Sequence, residues 1–501
     1  MWPTFPESAP DRPDTFSIGR VTRSAASRQP PLRAAWQNQK ALRMRPYHVA
    51  IVGSGPSGFF AAASLLKFAD LKANSDDPAD VRIDMLEMLP TPWGLVRSGV
   101  APDHPKIKTV AGQFAKTAED PRFRFFGNIK VGEHVQAAEL AQRYDAVIYA
   151  IGAQSDRPLG IPGEELAGSV AAVDFVGWYN AHPHFESMDP DVSRHRAVVV
   201  GNGNVALDVA RILVSAPEEL ALTDIADHAL NALAERGVQE VVVIGRRGPL
   251  QAPFTTLELR ELGDLVAMAD VDVIVDPADV DGITDEDLES AGKTVRQNIK
   301  ILRGFAERGS LGRSRRIVFR FQTSPIELKG EGRVESIVLG HNDLVDEGGR
   351  ISARDSGSRE ELPAQLVVRA VGYRGVPTPG LPFDERSGTI PHVDGRIDGS
   401  RNEYVVGWIK RGPSGVIGSN KKDSQDTVNT LIADICGVEA ADFGASHSAD
   451  LAEWLLSRQP RLVTEEHWQL INTHEVGAGE EQKRPRVKLT NVDHMLRVAH
   501  E

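Results

Sequence analysis

Two glycine-rich loops of the same type occur in this chain, each between an apolar, strand-like run and a helix-forming run. The first loop reads Gly53-Ser54-Gly55-Pro56-Ser57-Gly58, and the second reads Gly201-Asn202-Gly203-Asn204-Val205-Ala206. A G-x-G-x-x-G or G-x-G-x-x-A loop between a strand and a helix is the fingerprint of a dinucleotide-binding unit. The sequence therefore predicts an α/β protein with two Rossmann-like dinucleotide-binding domains.

The glycines of the first loop suit the pyrophosphate of a dinucleotide. The loop follows the β-branched run Tyr47–Val52 and precedes the helix-forming run Phe59–Lys67. Gly53 allows a tight turn, Gly55 lets the backbone approach the pyrophosphate, and Gly58 lets the helix pack closely on the strand. The free N–H groups at the start of the helix would then bind the phosphates.

The residues downstream of each loop indicate which dinucleotide it binds. Glu87 ends the next predicted strand after the first loop, although a polar insertion exceeds the usual spacing of about 20 residues. An acid at this position suits an unphosphorylated ribose, as in FAD, and would repel a 2′-phosphate. After the second loop, the strand Glu240–Ile244 is followed by Arg246 and Arg247. Guanidinium groups bind phosphate well, so we predict NADPH here; the alternative is a solvated arginine pair in a turn.

Composition excludes several classes of function. The chain has 501 residues, a net charge of −13 and 41% hydrophobic residues, which is typical of a soluble protein with two or three domains. The negative charge disfavours nucleic acid as a partner, and no apolar run approaches the roughly 18 residues of a membrane span. The one cysteine, Cys436, is expected to be a small buried hydrophobe, and it excludes a dithiol centre or a protein-bound iron–sulfur cluster.

Residues 1–45 differ from the rest of the chain, being rich in Pro, Ser and Arg without a strand or helix period. We expect a disordered tail or a start-site extension upstream of Met44, since Glu7, Asp11 and Asp14 argue against a transit peptide. The later runs Tyr144–Ala153 and Leu366–Gly372 both resemble buried strands that close with glycine. They predict a nested arrangement, in which an NADP-binding domain (154–371) is inserted into an FAD-binding domain (46–153 and 372–501).

Five segments resemble the adrenodoxin-reductase-type NADPH–ferredoxin reductases, and most closely their bacterial members. The segments are Val49–Lys67, Asp84–Lys108, Gly201–Leu213, Gly245–Leu262 and Tyr404–Asn429. The long Asp84–Lys108 string is highly specific to the group, and the likeness covers nearly everything from Pro46 onward. The resemblance implies an FAD enzyme that takes hydride from NADPH and passes single electrons to a ferredoxin. It also implies the bacterial cytoplasm rather than the mitochondrial matrix.

The resemblance further implies which residues contact the cofactors. For FAD they are Ser57, Glu87, Leu95, Val131, Trp408, Gly415, Val416 and Ile417. For NADPH they are Arg157, Asn202, Gly203, Asn204, Val205, Arg246, Arg247, Glu258 and Gly415. His104 and Glu261 match residues near the nicotinamide and flavin, where we expect His104 to orient Glu261 or the nicotinamide carboxamide. No metal site is expected.

Without the resemblance, several of these residues have simpler interpretations. Glu258 and Glu261 share one face of a predicted helix, which is equally consistent with an exposed charged surface. His104 would be a loop histidine. For Gly415, which lacks a side chain and so fits where rings stack against backbone, the alternative is a plain turn glycine; for Trp408, the alternative to a flavin contact is a core aromatic.

A ferredoxin partner predicts a docking surface, because ferredoxins are typically acidic. Candidate docking charges are Lys106, Lys108, Lys410, Arg411, Lys421 and Lys422, whereas Lys483–Lys488 is predicted to be a solvated basic segment. Two other functions remain open: an NADPH diaphorase or quinone reductase, and a slow redox-sensing flavoprotein. The single cysteine excludes a disulfide reductase.

Overall fold

The computed structural model of the chain describes residues 46–73, 79–415, 417–436 and 449–501. The predictions for residues 1–45, for Val416 and for the side chain of Cys436 lie outside the described residues. None of the helices in the described ranges is both long enough and apolar enough to cross a membrane.

The first sheet takes its strands from two distant parts of the chain. Val52 pairs with Leu86 in parallel strands, so Gly53 and Glu87, which directly follow them, lie at the same edge. The first two strands in the order below are antiparallel to their neighbours, and the others are parallel. In order across the sheet, the strands are His392–Val393, Arg396–Ile397, Glu403–Val405, Ala146–Tyr149, Tyr47–Val52, Val81–Leu86 and Phe123–Phe126.

The second sheet is entirely parallel and is formed by the residues between the two parts of the first. Val200 pairs with Ile244, so the second glycine loop and the Arg246–Arg247 turn leave the same edge. In order across the sheet, the strands are Ser169–Ala171, Leu366–Arg369, Arg196–Val200, Glu240–Ile244, Arg315–Arg320 and Val271–Ile274. The predicted fold class, two dinucleotide-binding α/β units with the second inserted into the first, is confirmed; the domain boundaries remain a prediction.

A third, antiparallel sheet was not predicted. Its strands are Thr323–Lys329, Ser336–Asp346 and Ile351–Pro363, and the last two form a long hairpin. A fourth sheet pairs Ser155–Asp156 with Tyr373–Arg374, close to both predicted crossings between the two units.

Helices flank the first and second sheets, as the βαβ connections between their parallel strands require. Each glycine loop leads directly into one, Pro56–Lys72 or Asn204–Val214. The other α-helices are Leu95–Ser98, Pro105–Lys108, Ala111–Ala118, Ala137–Arg143, Ala172–Tyr179, Pro217–Leu220, Asp227–Ala234, Thr256–Met268, Pro277–Asp281, Asp285–Ser290, Lys293–Arg308, Trp408–Arg411, Ile417–Cys436, Ala449–Arg458, Glu465–Glu481 and Val492–His500, and short 3₁₀ turns span Pro183–Phe185 and Pro249–Gln251.

Two side chains of the basic segment near the C-terminus are buried, so the prediction that Lys483–Lys488 is solvated is wrong for Arg484 and Lys488, whereas Lys483 is exposed. Arg484 and Lys488 are only 6% and 5% exposed. Lys488 Nζ donates to the carbonyl of Arg97 at 2.9 Å and forms an ion pair with Asp224 at 3.1 Å. Arg484 Nε donates to the carbonyl of Thr223 at 2.9 Å. The segment therefore ties the short helix Leu95–Ser98 of the first unit to the second unit.

A buried carboxylate organises the residues around this segment. Glu475 is fully buried and accepts two hydrogen bonds from the Arg97 guanidinium, at 2.8 and 2.5 Å. Arg486 at 3.1 Å and the backbone N–H of Leu489 at 2.8 Å complete its partners. Burial alone would raise the pKa of Glu475, but Arg97 and Arg486 hold that pKa below its ordinary value. A buried charge is tolerated here because it is paired on every side.

We predict that Glu475→Ala strongly destabilises the protein, because it leaves Arg97 and Arg486 buried without a counter-ion. Breaking a buried ion pair in this way costs about 3–5 kcal/mol. The measurement is the midpoint of urea unfolding followed by tryptophan fluorescence. Glu480→Ala, which removes an exposed carboxylate from the same helix, is the control. Equal midpoints for the two variants would contradict the role assigned to Glu475.

Candidate active site

The first glycine loop leaves an open cradle above its backbone. Gly53 has φ +104°, and a Cβ there would lie 2.5 Å from the carbonyl oxygen of Ala150. A Cβ at Gly58 would lie 2.2 Å from the oxygen of Gly53. At Gly55, by contrast, a Cβ would meet no atom of the described residues within 4 Å. The protein's own backbone therefore requires two of the glycines, and the third borders free space that fits a pyrophosphate.

Glu87 lies beside this cradle at the end of its strand. Its carboxylate accepts hydrogen bonds from the N–H of Ser54 at 3.0 Å, the hydroxyl of Ser54 at 2.6 Å and the N–H of Leu89 at 3.1 Å. Burial raises the pKa of Glu87, and the bonds from Ser54 and Leu89 oppose that rise. The acid is thus placed next to the loop, where a ribose ligand is predicted.

The other predicted FAD contacts fall around the same loop. A Cβ at Gly94 would lie 2.9 Å from Cα of Gly55, which places the following residue, Leu95, at the cradle. Ser57 packs against the turn before Trp408, since a Cβ at Gly407 would lie 2.2 Å from the Oγ of Ser57.

Trp408 Nε1 is a buried donor without a hydrogen-bond partner among the described residues. An unpaired buried donor is costly, so it fits an acceptor on a bound cofactor better than a purely structural position. Ile417 packs on the core that contains Phe59, and Val131 packs on the core beneath the opposite face of the sheet. Gly415 is exposed two residues before Ile417.

The second glycine loop has the same construction. Gly201 has φ +120°, and a Cβ there would lie 2.3 Å from the carbonyl oxygen of Ala370. A Cβ at Gly203 would meet only Pro253, at 3.9 Å. Asn204 Oδ1 accepts a hydrogen bond from Thr255 N at 2.8 Å. This bond joins the loop to the start of the helix Thr256–Met268.

The remaining two loop residues differ in what they contact. Asn202 lies beside Gly245, where a Cβ would be 2.3 Å from its amide nitrogen. Val205 packs against the core of the second unit. The loop is therefore held by its neighbours on both sides while its phosphate-facing backbone stays open.

Arg246 and Arg247 carry positive charge that the protein does not neutralise. In the described ranges, neither guanidinium has a hydrogen-bond or ion-pair partner, and Arg246 is exposed. Burial, followed by the charges of Arg246 and Arg350, lowers the pKa of Arg247. Arg157 is also exposed, and it borders a cavity of about 540 Å³ together with Lys410 and Ser414. Unpaired guanidinium groups at a strand end fit a phosphate site.

The structure brings His104, Glu258 and Glu261 together. His104 Nε2 lies 2.6 Å from Glu261 Oε2 and 3.8 Å from Glu258 Oε2. His104 comes from a loop of the first unit, whereas both glutamates lie on the helix Thr256–Met268 of the second. The predicted exposed charged surface is therefore not what forms, because Glu258 is only 6% exposed and faces His104.

The residue at the centre of this cluster, Arg211, was not predicted from the sequence. Its guanidinium binds Asp103 through Nε at 2.6 Å and Nη2 at 3.0 Å, and Nη2 also donates to Asp208 at 2.8 Å. The same Nη2 lies 2.9 Å from His104 Nε2. Its position one turn after Asp208 in an otherwise apolar helix was the one available signal. The guanidinium also lies 3.6 and 3.5 Å from Glu258 and Glu261, so it already supplies the positive charge that a metal ion would bring.

The cluster divides its protons unequally. Burial, together with the charge of Asp208, raises the pKa of Glu258 to about 8. Burial also opposes ionisation of Glu261, but the hydrogen bond and charge of His104 lower the pKa of Glu261 overall. Burial disfavours the charged imidazole, yet the bond to Glu261 raises the pKa of His104 overall. With a pKa of about 8, Glu258 is mostly a neutral carboxylic acid at neutral pH, and the contact with Glu261 favours the charged form of His104.

Comparison with known proteins agrees with this geometry. A family model described as pyridine nucleotide-disulphide oxidoreductase matches residues 47–244. The NADPH-ferredoxin reductase FprA of Mycobacterium tuberculosis is 68% identical over 91% of this chain and 99% of its own length. The chain belongs to the adrenodoxin-reductase-type NADPH–ferredoxin reductases. The mitochondrial NADPH:adrenodoxin oxidoreductase of Arabidopsis thaliana is 39% identical over 91% of the chain and 96% of its own length.

A solved member of these reductases has the same fold. The structure of M. tuberculosis FprA in complex with NADPH matches with a TM-score of 0.88 and 67% identity, over 91% of this chain and all of that one (100%). The predicted family is thereby confirmed. The description of the family model includes disulphide chemistry, but this sequence has one cysteine. It therefore lacks the two thiols that a dithiol centre needs.

Three of the six predicted docking charges are committed to internal contacts, and for these the prediction is wrong. Lys108 is mostly buried and forms an ion pair with Asp224 at 2.5 Å. Lys410 pairs with Asp423 at 3.0 Å, and Arg411 donates to the carbonyl of Ser414. The charges that remain exposed are Lys106, Lys421 and Lys422, and of these Lys422 also pairs with the exposed Asp426 on its own helix at 2.6 Å.

We predict that Glu258 makes stability depend on pH in a definite direction. Its pKa in the folded protein is about 8, against an ordinary value of 4.5, so the folded state retains a proton that the unfolded state loses. Its contribution to stability is fully present below pH 4.5 and is lost as pH rises through about 8. Relative to wild type, Glu258→Gln should therefore gain stability as pH rises over this window.

The measurement is the urea midpoint of both proteins at several pH values and constant ionic strength. Glu307→Gln, which changes an exposed helical carboxylate, is the control and should track wild type. A wild-type and Glu258→Gln difference that does not vary with pH would contradict the proton assigned to Glu258.

Proposed function

We propose that this chain is an FAD-dependent NADPH–ferredoxin oxidoreductase, with FAD at the first glycine loop and NADPH at the second. The observation that carries the proposal is the contrast between the two strand ends. A buried, hydrogen-bonded acid, Glu87, lies beside the first cradle. Arg246 and Arg247, whose guanidinium groups have no partner among the described residues, follow the strand beside the second. The M. tuberculosis relative, an NADPH-ferredoxin reductase with a solved NADPH complex, supports the same assignment.

When bound, FAD would supply the chemistry of accepting a hydride and releasing electrons singly. The residues of the chain bind and orient. Glu87 would accept from the adenosine ribose, and Trp408 Nε1 would donate its unused hydrogen to the flavin. Arg246 and Arg247 would bind the 2′-phosphate. The proposed contacts of Leu95, Val131, Arg157 and Gly415 rest on the family resemblance and on their positions around the two loops.

The polar cluster would orient the nicotinamide. A carboxamide presents one donor and one acceptor group, and a neutral carboxylic acid such as Glu258 can complement both. Glu258 Oε2 is buried without a hydrogen-bond partner among the described residues, so it is available for this contact. We assign to His104 the role of holding Glu261 through the 2.6 Å contact. Orientation of this kind is what hydride transfer most needs.

The acceptor we propose is an acidic ferredoxin-type iron–sulfur protein. Lys106, Lys421 and Lys422 are exposed, and their charges would steer an acidic partner and raise its association rate. We further propose that the FAD-binding domain comprises residues 46–153 and 372–501 and the NADP-binding domain 154–371. The mycobacterial relatives support a bacterial cytoplasmic protein.

We predict that NADPH bleaches the flavin absorbance within about a second under anaerobic conditions, a turnover typical of enzymes rather than sensors. Cytochrome c reduction should then depend on added ferredoxin. Slow bleaching would indicate a redox sensor, and faster turnover with quinones or dyes than with any of the host's ferredoxins would indicate a diaphorase. Either result would overturn the proposed function.

We predict that Arg246→Ala with Arg247→Ala lowers the ratio of kcat/KM for NADPH over NADH by about 10²-fold or more, because each lost charge-assisted hydrogen bond is worth about 1.5–3 kcal/mol. The value for NADH should stay close to wild type. Arg354→Ala, which removes an exposed arginine from the hairpin, is the control for a general change in charge. An unchanged ratio would contradict the proposal that Arg246 and Arg247 bind the 2′-phosphate of NADPH.

A further inference from the structure

The turn that carries Arg246 and Arg247 is held by the third sheet. The carbonyl oxygen of Arg246 accepts a hydrogen bond from Asn342 Nδ2 at 3.0 Å. The carbonyl oxygen of Arg247 accepts from the backbone N–H of Gln322 at 3.1 Å. The first contact comes from the antiparallel strand Ser336–Asp346, and the second comes from the residue directly before the antiparallel strand Thr323–Lys329. The unpredicted sheet therefore sets the path of the arginine turn.

Asn342 is the side chain that makes this connection. It is 4% exposed, and its amide nitrogen donates to the Arg246 carbonyl and to Ser324 Oγ, the second at 2.9 Å. Because a carbonyl oxygen can only accept, the amide group facing it must be the NH₂, and both of its hydrogens are used. The backbone N–H of Asn342 also donates to the carbonyl of Gln322 at 2.7 Å. One residue thus crosslinks the turn and the neighbouring strand.

The pairing of Ser336–Asp346 with Thr323–Lys329 explains why Asn342 lies beside the turn. His341 pairs with Thr323 in this register, so the next residue, Asn342, lies opposite Gln322. Gln322 donates its backbone N–H to the carbonyl of Arg247, which places Asn342 within reach of the arginine turn.

The arginine side chains have little else to position them. In the described part of the chain, neither guanidinium has a protein partner, and the neighbouring like charges repel each other. Their directions are therefore set mainly by the peptide unit from which they depart, and Asn342 holds that unit through the Arg246 carbonyl. Loss of the amide would leave a buried acceptor unpaired and free the turn to move.

We infer that Asn342 is a positioning residue that sets the preference of this protein for a 2′-phosphorylated coenzyme. The inference rests on the proposed function, in which Arg246 and Arg247 bind the 2′-phosphate. It extends the coenzyme-specificity site to a buried amide that does not touch the coenzyme.

The test compares 2′,5′-ADP with 5′-AMP as probes, binding to the FAD-loaded protein by calorimetry. Asn342→Leu keeps the side-chain size and removes the donor. We expect its Kd for 2′,5′-ADP to rise about tenfold, since an unpaired buried acceptor costs at least about one hydrogen bond. The Kd for 5′-AMP and the kcat/KM for NADH should change less than about twofold. Asn342→Ser, which retains a shorter donor, should recover part of the loss and serves as the measured variant if the leucine variant does not fold.

Asn402→Leu is the matched control. Its amide nitrogen also donates two hydrogen bonds, to the carbonyls of Ala141 at 2.9 Å and Tyr144 at 3.1 Å, but in the first unit. It should leave the ratio of the two Kd values unchanged.

Three results distinguish the possibilities. An unaltered 2′,5′-ADP affinity in the Asn342 variants, with a loss in the double arginine variant, would overturn the inference and leave the proposed function intact. An equal weakening of both probes would also overturn it, since that is the effect of a merely structural role. An unaltered affinity in the double arginine variant itself would overturn the proposed 2′-phosphate site, and the inference with it.

Discussion

The contact between Arg211 and Asp103 is the interaction on which the geometry of the site depends. It joins the helix after the second glycine loop to a loop of the first unit, through two hydrogen bonds of 2.6 and 3.0 Å. Around it lie more acids than bases, because Asp208, Glu258 and Glu261 face only Arg211 and His104. Burial makes that excess negative charge costly, and this raises the pKa values of Asp208 and Glu258.

A second connection between the units lies at the C-terminal segment, and the two connections do different things. Lys488 and Arg484 bind backbone carbonyls of both units. They hold the two units together without contributing a group to the polar cluster around His104. The Arg211 cluster fixes position and also presents titratable groups. Hydride transfer is sensitive to displacements of about 1 Å, so an enzyme of this class benefits from separating the structural joint from the one that carries chemistry. The buried Glu475 stabilises the connection at the C-terminal segment through Arg97, because the carbonyl of Arg97 accepts a hydrogen bond from Lys488.

Whether a feature could be predicted from the sequence depends on how far apart in the sequence the residues that form it lie. The requirement for Gly53 and Gly201, and the strands on either side of them, are encoded within about ten residues, and both were predicted. The roles of Lys108, Arg211 and Lys488 depend on partners more than 100 positions away in sequence, as with Arg211 and Asp103 at a separation of 108. A buried charge and a solvated one look alike in a single sequence. The hairpin was missed because Ile351–Pro363 is largely exposed, so no apolar alternation marks it as a strand.

The third sheet and the single cysteine each bear on the path that electrons would take through this protein. The parallel sheets and glycine loops match a family model whose description includes disulphide chemistry, but one cysteine cannot form an internal disulfide. On the proposed function, electrons enter at a site whose arginine turn is held by Asn342 from outside the parallel sheet. They reach a flavin with no protein thiol pair beyond it, so they must leave to a separate molecule. Specificity is then needed at both ends of the path: for the 2′-phosphate of the donor, and for the charge of the acceptor.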